Sequence, residues 1–425
     1  MSPTFRALHH HNYRLYAAGG LVSNTGTWMQ RVAQDWLVVL LATNDGTALG
    51  ITTGLQFLPA LLLSPYAGLI ADRVPKLWLL RVTQSVMAVT ALVLGALAVT
   101  GTVQVWHVYV LAFLLGVGSA FDAPARQSFV SEMVGPEDLT NAVGLNSASF
   151  NAARLLGPAV AGLLIGVFGG GVQATGWVIV LNGLSFGAVL LALRAMDVEA
   201  LHPVEREGRH KGQIRDALRY LRGRNDLLLI LCVVFFTGTF GLNFQMTSAL
   251  MATHVFHRGA TEYGLLGSIM AIGSLTGALM AARRTRIRLR LVVGAAIAFG
   301  LVEIAAGLMP SYVTYAAIVP LLGFTALTMI TAANTTMQLA TAPSLRGRVM
   351  ALYLMVFMGG TPLGSPFIGW IGEQFGARWT LIGGGALSLL GVVVATLVFT
   401  RGRGFLDRRV AAREVPLEEV VGSAA

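Results

Sequence analysis

The sequence predicts an all-α membrane protein: twelve transmembrane helices arranged as two six-helix bundles related by pseudo-twofold symmetry. Three observations carry that prediction. Hydrophobic residues make up 55% of the 425-residue chain and charged residues only 12%, with a mean hydropathy of +0.69, too oily for a chain of this length to assemble a water-soluble surface. The apolar residues fall into twelve stretches, each close to the ~20 residues that cross the hydrocarbon core as a helix. Residues 116–169 also return, without a gap, 207 positions later as residues 323–376. The superposed pairs are Gly116/Gly323, Pro136/Pro343, Leu145/Leu352, Gly157/Gly364, Gly162/Gly369, Phe168/Phe375 and Gly169/Gly376. Most are glycine and proline positions, which set backbone path and helix proximity, and their register holds across a polar loop.

Strand-like alternation is absent, so each stretch reads as a helix rather than a barrel strand. The first, near 13–42, is too long and too polar for a cleaved signal peptide, and no small-residue cleavage site follows a short apolar core. The second, 48–71, ends at the charged turn Asp72-Arg73-Val74-Pro75-Lys76, and the third runs over 77–100. The fourth, 105–122, stops at the polar run from Asp122 to Arg126, and the fifth, 141–168, follows the Pro136 loop. The sixth, 174–194, closes the first bundle (1–194). A cytoplasmic linker (195–225) follows, whose latter part reads as a short amphipathic helix, with Ile214, Leu218 and Leu221 at helical spacing beside Arg215, Arg219 and Arg222. Such a helix is expected to lie on the inner leaflet, with docking of a partner as the alternative. The second bundle (226–400) holds stretches 226–254, 261–282, 290–309, 312–337, 349–371 and 378–400, and the tail (401–425) is charged and then small, as expected of a disordered end. The lone Cys232 lies in the seventh stretch, so no intramolecular disulfide is possible.

The formal charge of +10 would suggest nucleic acid in a soluble protein, but its placement gives another reason. With the N-terminus inside, the inner segments hold 26 of the 30 Lys and Arg residues, against Arg258 and Arg378 outside and Arg31 and Arg154 within helices. The positive-inside rule therefore predicts a multi-pass protein of the cell membrane with both termini and the linker cytoplasmic. The partners expected are the lipid bilayer, a small organic substrate and protons, with no nucleic acid and a monomeric chain.

At the turn between the second and third helices the chain reads Gly68-Leu-Ile-Ala-Asp72-Arg73-Val-Pro75-Lys76. With the six-plus-six duplication, this resembles the major facilitator superfamily over nearly the whole chain. The resemblance implies a gate in which Gly68 lets helices approach, Asp72 faces the start of the eleventh helix near Arg348 to Met350, and Lys76 pairs with Asp122. Pro75 stands where that family usually has glycine. The equivalent turn of the second half, from Gly277, carries Ala281 and Ala282 in place of the Asp-Arg pair. The lock is thus one-sided, and is expected to favour an outward-facing state with the cytoplasmic side closed.

In the fifth helix, Arg154-Leu-Leu-Gly157-Pro158-Ala-Val-Ala-Gly162 is similar to the G-P-x-x-x-G element of the superfamily's exporters. Pro158 removes a helix hydrogen bond and the glycines permit close approach, so a bend or a tight seam is expected. The run through Gly118, Asp122, Pro124, Arg126 and Gln127, the Pro136 loop, and Asn141 to Asn146 resembles the enterobactin-exporter-like branch. Ala112 occupies the fourth-helix place of an arginine linked to proton handling in antiporters, so any proton coupling must use other groups.

Ionisable residues inside membrane helices are costly and mark function. Asp35 and Arg31, four apart on the first helix, read either as a proton carrier with its modulator or as a permanent ion pair; Glu303 is the third coupling candidate, on a helix that is peripheral in this family. Arg154 reads as an organiser of packing, unless the substrate is anionic. The helices that line the family's cavity offer Asn24, Thr25, Trp28, Gln34, Ser119, Phe240, Asn243, Phe244, Gln245, Thr328, Thr331 and Asn334, a set suited to a large, partly apolar solute. The run His9-His10-His11 reads as a solvated tail rather than a metal site. No Walker A loop and no nucleophile-base pair is present, so neither an ATP-driven pump nor an enzyme is expected, and no cofactor. The reading is a proton-coupled exporter of a drug, secondary metabolite or siderophore working by alternating access. An importer or uniporter, and a non-transporting membrane sensor of the same fold, are the alternatives.

Overall fold

The computed structural model describes residues 3–42, 45–202, 213–282, 289–342 and 345–400. After a short helical turn (Pro3–His9) come α1 (His11–Leu41), α2 (Gly46–Arg73), α3 (Lys76–Val99), α4 (Val105–Met133), α5 (Pro136–Val167) and α6 (Val172–Arg194). A connector helix (Gln213–Arg222) leads to α7 (Asn225–Val255), α8 (Ala260–Ala282), α9 (Leu289–Gly307), α10 (Tyr312–Ala340), α11 (Arg346–Phe375) and α12 (Arg378–Phe399). Eleven of these are long and apolar enough to cross a membrane by length and composition. The exception is α1, whose 31 residues are long enough at about 1.5 Å per residue. Its polar side chains lower its hydropathy, but Asn12, Ser23, Gln30, Gln34 and Asp35 are buried inside the bundle rather than set in lipid.

Two helices run further than hydropathy predicts. α4 continues past residue 122 to Met133 because Phe129, Val130 and Met133 bury themselves against α3 and the N-terminal turn. α5 starts at Pro136, a first-turn position where the missing N–H costs nothing. A hydropathy window follows the lipid core, and helices outlast it.

The repeat is visible as equivalent contacts. Gly157 of α5 packs on α1 at Thr25 and Trp28, while Gly364 of α11 packs on α7 at Thr239. Gly162 meets α8 at Ala260 and Gly264, while Gly369 meets α2 at Gly46 and Gly50. Gly116 of α4 abuts α2 at Gln56, and Gly323 of α10 abuts α8 at Met270 and Ser274. In each pair the second contact is the first moved by one bundle, as a pseudo-twofold relation requires.

The bundles meet along two seams, α2 with α11 and α5 with α8. Both seams are tight at the end away from residue 3. There Gly46, Gly50 and Gly54 crowd Gly369, Ser365 and Pro362, and Thr47 donates to the Glu373 carboxylate. On the other seam Thr261 Oγ1 donates to Gly162 O at 3.1 Å. At the opposite end three of these helices are open among the described residues: a β-carbon at Gly68 of α2, Gly144 of α5 or Gly347 of α11 would meet nothing within 4 Å. Tyr66 and Ile70 of α2 and Met355 and Met358 of α11 are exposed there.

The second half of the connector is tied down. Leu221 is buried with Leu227 and Val349, while Leu218 stays exposed. Arg224 Nη1 donates to Tyr220 Oη at 2.9 Å, and that hydroxyl accepts from Ala342 N at 3.3 Å, so the connector is held against the ends of α10 and α11. The side chains of Ile214 and Arg215, and the tail from 401, lie outside the described residues.

Candidate functional site: a pocket between the bundles

α8 enters the backbone ladder of α5 at Pro158. Pro158 cannot donate, and beside it the Ser268 hydroxyl donates to Leu155 O at 2.5 Å and accepts from Ala159 N at 3.2 Å. A β-carbon on Gly267 would lie 2.9 Å from Pro158 Cβ, so the Gly157-to-Gly162 element forms the tight seam. One turn before it, Arg154 Nη2 donates across the seam to Ser274 Oγ at 3.1 Å.

This geometry turns Arg154 toward α1. Its guanidinium carbon stands 5.9 Å from the centre of the Trp28 ring, and that of Arg31 stands 4.7 Å from the same centre. Arg31 also lies 5.6 Å from the Phe57 ring, and Phe150 meets Trp28 edge-on at 5.8 Å. Asp35, one turn beyond Arg31, is buried and accepts the Tyr263 hydroxyl of α8 at 3.0 Å. Trp36 stacks on Tyr263 with centres 6.2 Å apart and donates to Gly170 O at 3.1 Å. Asp35 thus touches the other bundle at the closed end. Among the described residues no ion pair within 4.0 Å joins it to Arg31, so the direct pair expected from their four-residue spacing is not formed.

Glu303 of α9 is 1% exposed, and its Oε2 has no hydrogen-bond partner. It packs against Gly241 of α7 and Gly384 of α12, away from the Trp28 pocket. α7 is discontinuous there: a wide turn over Thr237–Gly241 is followed by non-helical Leu242 and Asn243 before the helix resumes at Phe244.

The cavity candidates divide. Trp28 sits in the arginine pocket, and Asn24 and Thr25 precede it on α1, with Thr25 bonded to its own helix at Leu21 O. Gln34 is buried and reaches Gln56 of α2 at 3.4 Å. Phe240 stacks on Phe236 and meets Phe367 edge-on, and Asn243 is buried, its amide donating to Thr239 O at 3.0 Å. Phe244 and Gln245 are half-buried, Ser119 is exposed, and Thr331 is half-buried. Thr328 is buried with an unpartnered hydroxyl, while Asn334 accepts from Gln338 at 2.6 Å. Among the described residues, contacts with the two arginines are made by Trp28 alone of this set.

The charged turn differs from the expectation. Lys76 pairs with Glu132, not with Asp122. Ten residues of α4 separate the two acids, about 15 Å of rise, which puts Glu132 level with the start of α3 and Asp122 beyond reach. Asp122 instead accepts from Thr83 Oγ1 at 3.0 Å, Gln84 Nε2 at 2.7 Å and Arg126 Nε at 2.9 Å. Arg73 is exposed, and the Asp72 side chain, with any contact to the start of α11, lies outside the described residues. The histidine run is not a free tail either. Arg6 Nε lies 2.8 Å and His10 Nε2 3.0 Å from the carboxylate of Asp138, which is 2% exposed in the first turn of α5. His9 completes a group that could offer three ligands, but Arg6 already supplies the counter-charge.

Residues not anticipated are Phe57, Phe150, Glu132, Tyr263, Ser268 and Ser274. The small residues of α8 were the available signal, Gly264 and Ser268 four apart with Gly273-Ser274 beyond them, since small residues at such spacing mark a face for close helix contact.

Comparison with known proteins places this geometry. Residues 2–414 match the family described as transmembrane secretion effector. The Staphyloferrin A transporter of Staphylococcus aureus is 33% identical over 144 residues, 34% of this chain and 36% of that one, so this match spans about a third of its length. The multidrug efflux pump Tap of Mycolicibacterium fortuitum is 28% identical over 399 residues, 90% of this chain and 94% of the relative. Among solved structures, a bacterial homologue of the human lysosomal transporter Spinster, inward-facing and occupied, superposes with a TM-score of 0.69 at 15% identity, covering 91% of this chain and 99% of that one. The D-xylose-proton symporter superposes at 0.68 with 12% identity, covering 91% and 96%.

Proposed function

Because the chain belongs to the transmembrane secretion effector family of the major facilitator superfamily, we propose that this transporter is an exporter, loading a small organic molecule from the cytoplasm and releasing it outside by alternating access coupled to protons. The observation that carries the reading is the pair of glycine seams that shut one end while glycines of α2, α5 and α11 face open space at the other, with a polar and aromatic pocket between. With the termini and the basic segments cytoplasmic, the open end faces the cytoplasm, which is the loading state of an exporter. The Gly157-to-Gly162 element forms one seam, and a relative aligned along nine-tenths of this chain is named an efflux pump.

Asp35 is the proposed proton carrier. Its bond to Tyr263 joins the bundles at the closed end, so opening that end exposes the carboxylate and removes its donor together. Proton uptake outside and release inside would then follow the rocking of the bundles. The test is efflux of a panel of drugs and siderophores in everted vesicles under an imposed pH gradient, with an ionophore control. Gradient-dependent accumulation of at least one compound, lost with the ionophore, is expected. Accumulation indifferent to the gradient would remove proton coupling, and loss of solutes from the vesicle lumen would reverse the direction.

A further inference from the structure

Two cations and one indole meet between the bundles, with no acid in contact among the described residues. Arg31 and Arg154 both address Trp28. Arg154 spends one N–H on Ser274, and the buried Nε of Arg31 has no acceptor. Among the described residues no carboxylate lies within 4.0 Å of either guanidinium. The acid one turn along α1 from Arg31 is Asp35, which is occupied by Tyr263.

Aromatic faces offset only part of the cost of a cation held inside a membrane. Two such residues persist together where something supplies the missing negative charge. Arg31 and Trp28 on α1 and Arg154 on α5 belong to the first bundle, and Ser274 on α8, which Arg154 reaches, belongs to the second. The pocket therefore lies where a transported molecule must sit, and Phe150 beside it is exposed.

We propose that Arg31 and Arg154 form a binding site for an organic anion, a carboxylate borne on a flat or apolar body. The planar guanidinium fork matches a carboxylate in two parallel hydrogen bonds, and Trp28, Phe57 and Phe150 provide the apolar wall. This rests on the transporter reading only for the site's location, and it names the substrate class.

The test uses three probes of one size, naphthoate, naphthamide and naphthylmethylammonium, titrated calorimetrically into purified protein in lipid nanodiscs. No transport is involved, so failure here leaves the vesicle test standing and failure there leaves this one standing. Naphthoate should bind at least about tenfold more tightly than the amide, a charge-assisted bond against a neutral one, and the ammonium more weakly than both. Arg31→Gln and Arg154→Gln should each weaken naphthoate by about tenfold and leave the amide unchanged, while Arg154→Lys should recover part of the loss. If a glutamine variant does not fold, the lysine variant and the decline of naphthoate affinity with added salt serve in its place. Absence of naphthoate binding, preference for the amide or ammonium, or unaltered naphthoate affinity in folded glutamine variants would overturn the proposal.

Discussion

Replacing Gly162 by alanine should tip the transporter away from the state described here. A β-carbon at this position would lie 2.5 Å from Ala260 O and 3.0 Å from Gly264 Cα. Both are backbone atoms of the facing helix, so no side chain can swing aside and α8 itself must move. Forcing a methyl group into such a contact costs about 1–3 kcal/mol. The contact exists only while the end distal to the N-terminus is shut, so the whole cost falls on that state. The ratio of closed to open at this end should therefore drop by roughly 5- to 150-fold. The assay is a spin-label distance distribution between Thr102→Cys and Leu308→Cys, exposed positions at the closed ends of α3 and α9, with Cys232 replaced by alanine. Gly162→Ala should add or enlarge a longer-distance population. Gly187→Ala, where a β-carbon meets nothing within 4 Å, should leave the distribution alone. Gly68→Ala should act in the opposite sense, because its open surroundings close only when the other end shuts. An unchanged distribution in folded Gly162→Ala protein, or an equal shift with Gly187→Ala, would refute the assignment of the α5–α8 seam as a gate.

Three further outcomes are expected. Asp35→Asn should abolish gradient-driven efflux and retain energy-independent exchange, measured in the same vesicles; full gradient-driven transport by the Arg31→Gln, Asp35→Asn double variant would eliminate the carrier role. Lys76→Met and Glu132→Gln should each cost about 1.5–3 kcal/mol in unfolding free energy, and the double change less than their sum, since each single change strands a largely buried charge; additive losses would mean that the pair carries no coupling. Reporter fusions at Gly208 and Gly171 should report opposite sides of the membrane, and agreement between them would end the twelve-helix topology.

What was legible in the chain was what repeats or has a period. The lipid-crossing stretches and the duplication 207 positions apart fix the bundles, because hydropathy and glycine spacing act locally along a helix. The Gly157-to-Gly162 element was legible for the same reason: proline and glycine state a backbone requirement whatever faces them. The partners of charged residues were not. Lys76 has two acids to choose from on α4, and only the axial level of one helix against another selects Glu132 over Asp122. Asp35 and Arg31 share a face of α1 by spacing, yet a tyrosine on a helix 228 positions away takes the carboxylate. His10 likewise reads as tail until Asp138 is placed beside it. Contacts between distant segments have no period, and polar residues advertise a need for a partner without naming it.

The two ends of the molecule are built on different physics, and that difference bears on how the bundles alternate. The closed end is sealed by backbone against backbone, with Gly46, Gly50, Gly162, Gly264 and Gly369 bringing helices to van der Waals contact. Such contacts are short-ranged and vanish with a small separation. The charged turn from Gly68 to Lys76 stands at the open end, where coulombic attraction reaches further. A rocking transporter needs both closed states within a few kcal/mol of each other, or one would trap the chain. The charged turn fits that need: Asp72 and Arg73 stand at the end that lacks a comparable run of glycines, while the matching turn of the second half, at that same end, has Ala281 and Ala282 and adds no charge. Neutralising Asp72 should then leave the present state in place and weaken its opposite. Asp72→Asn is accordingly expected to slow turnover while substrate affinity in the state described here is kept, and a variant with unchanged turnover and unchanged spin-label distances would show that charge plays no part in the balance.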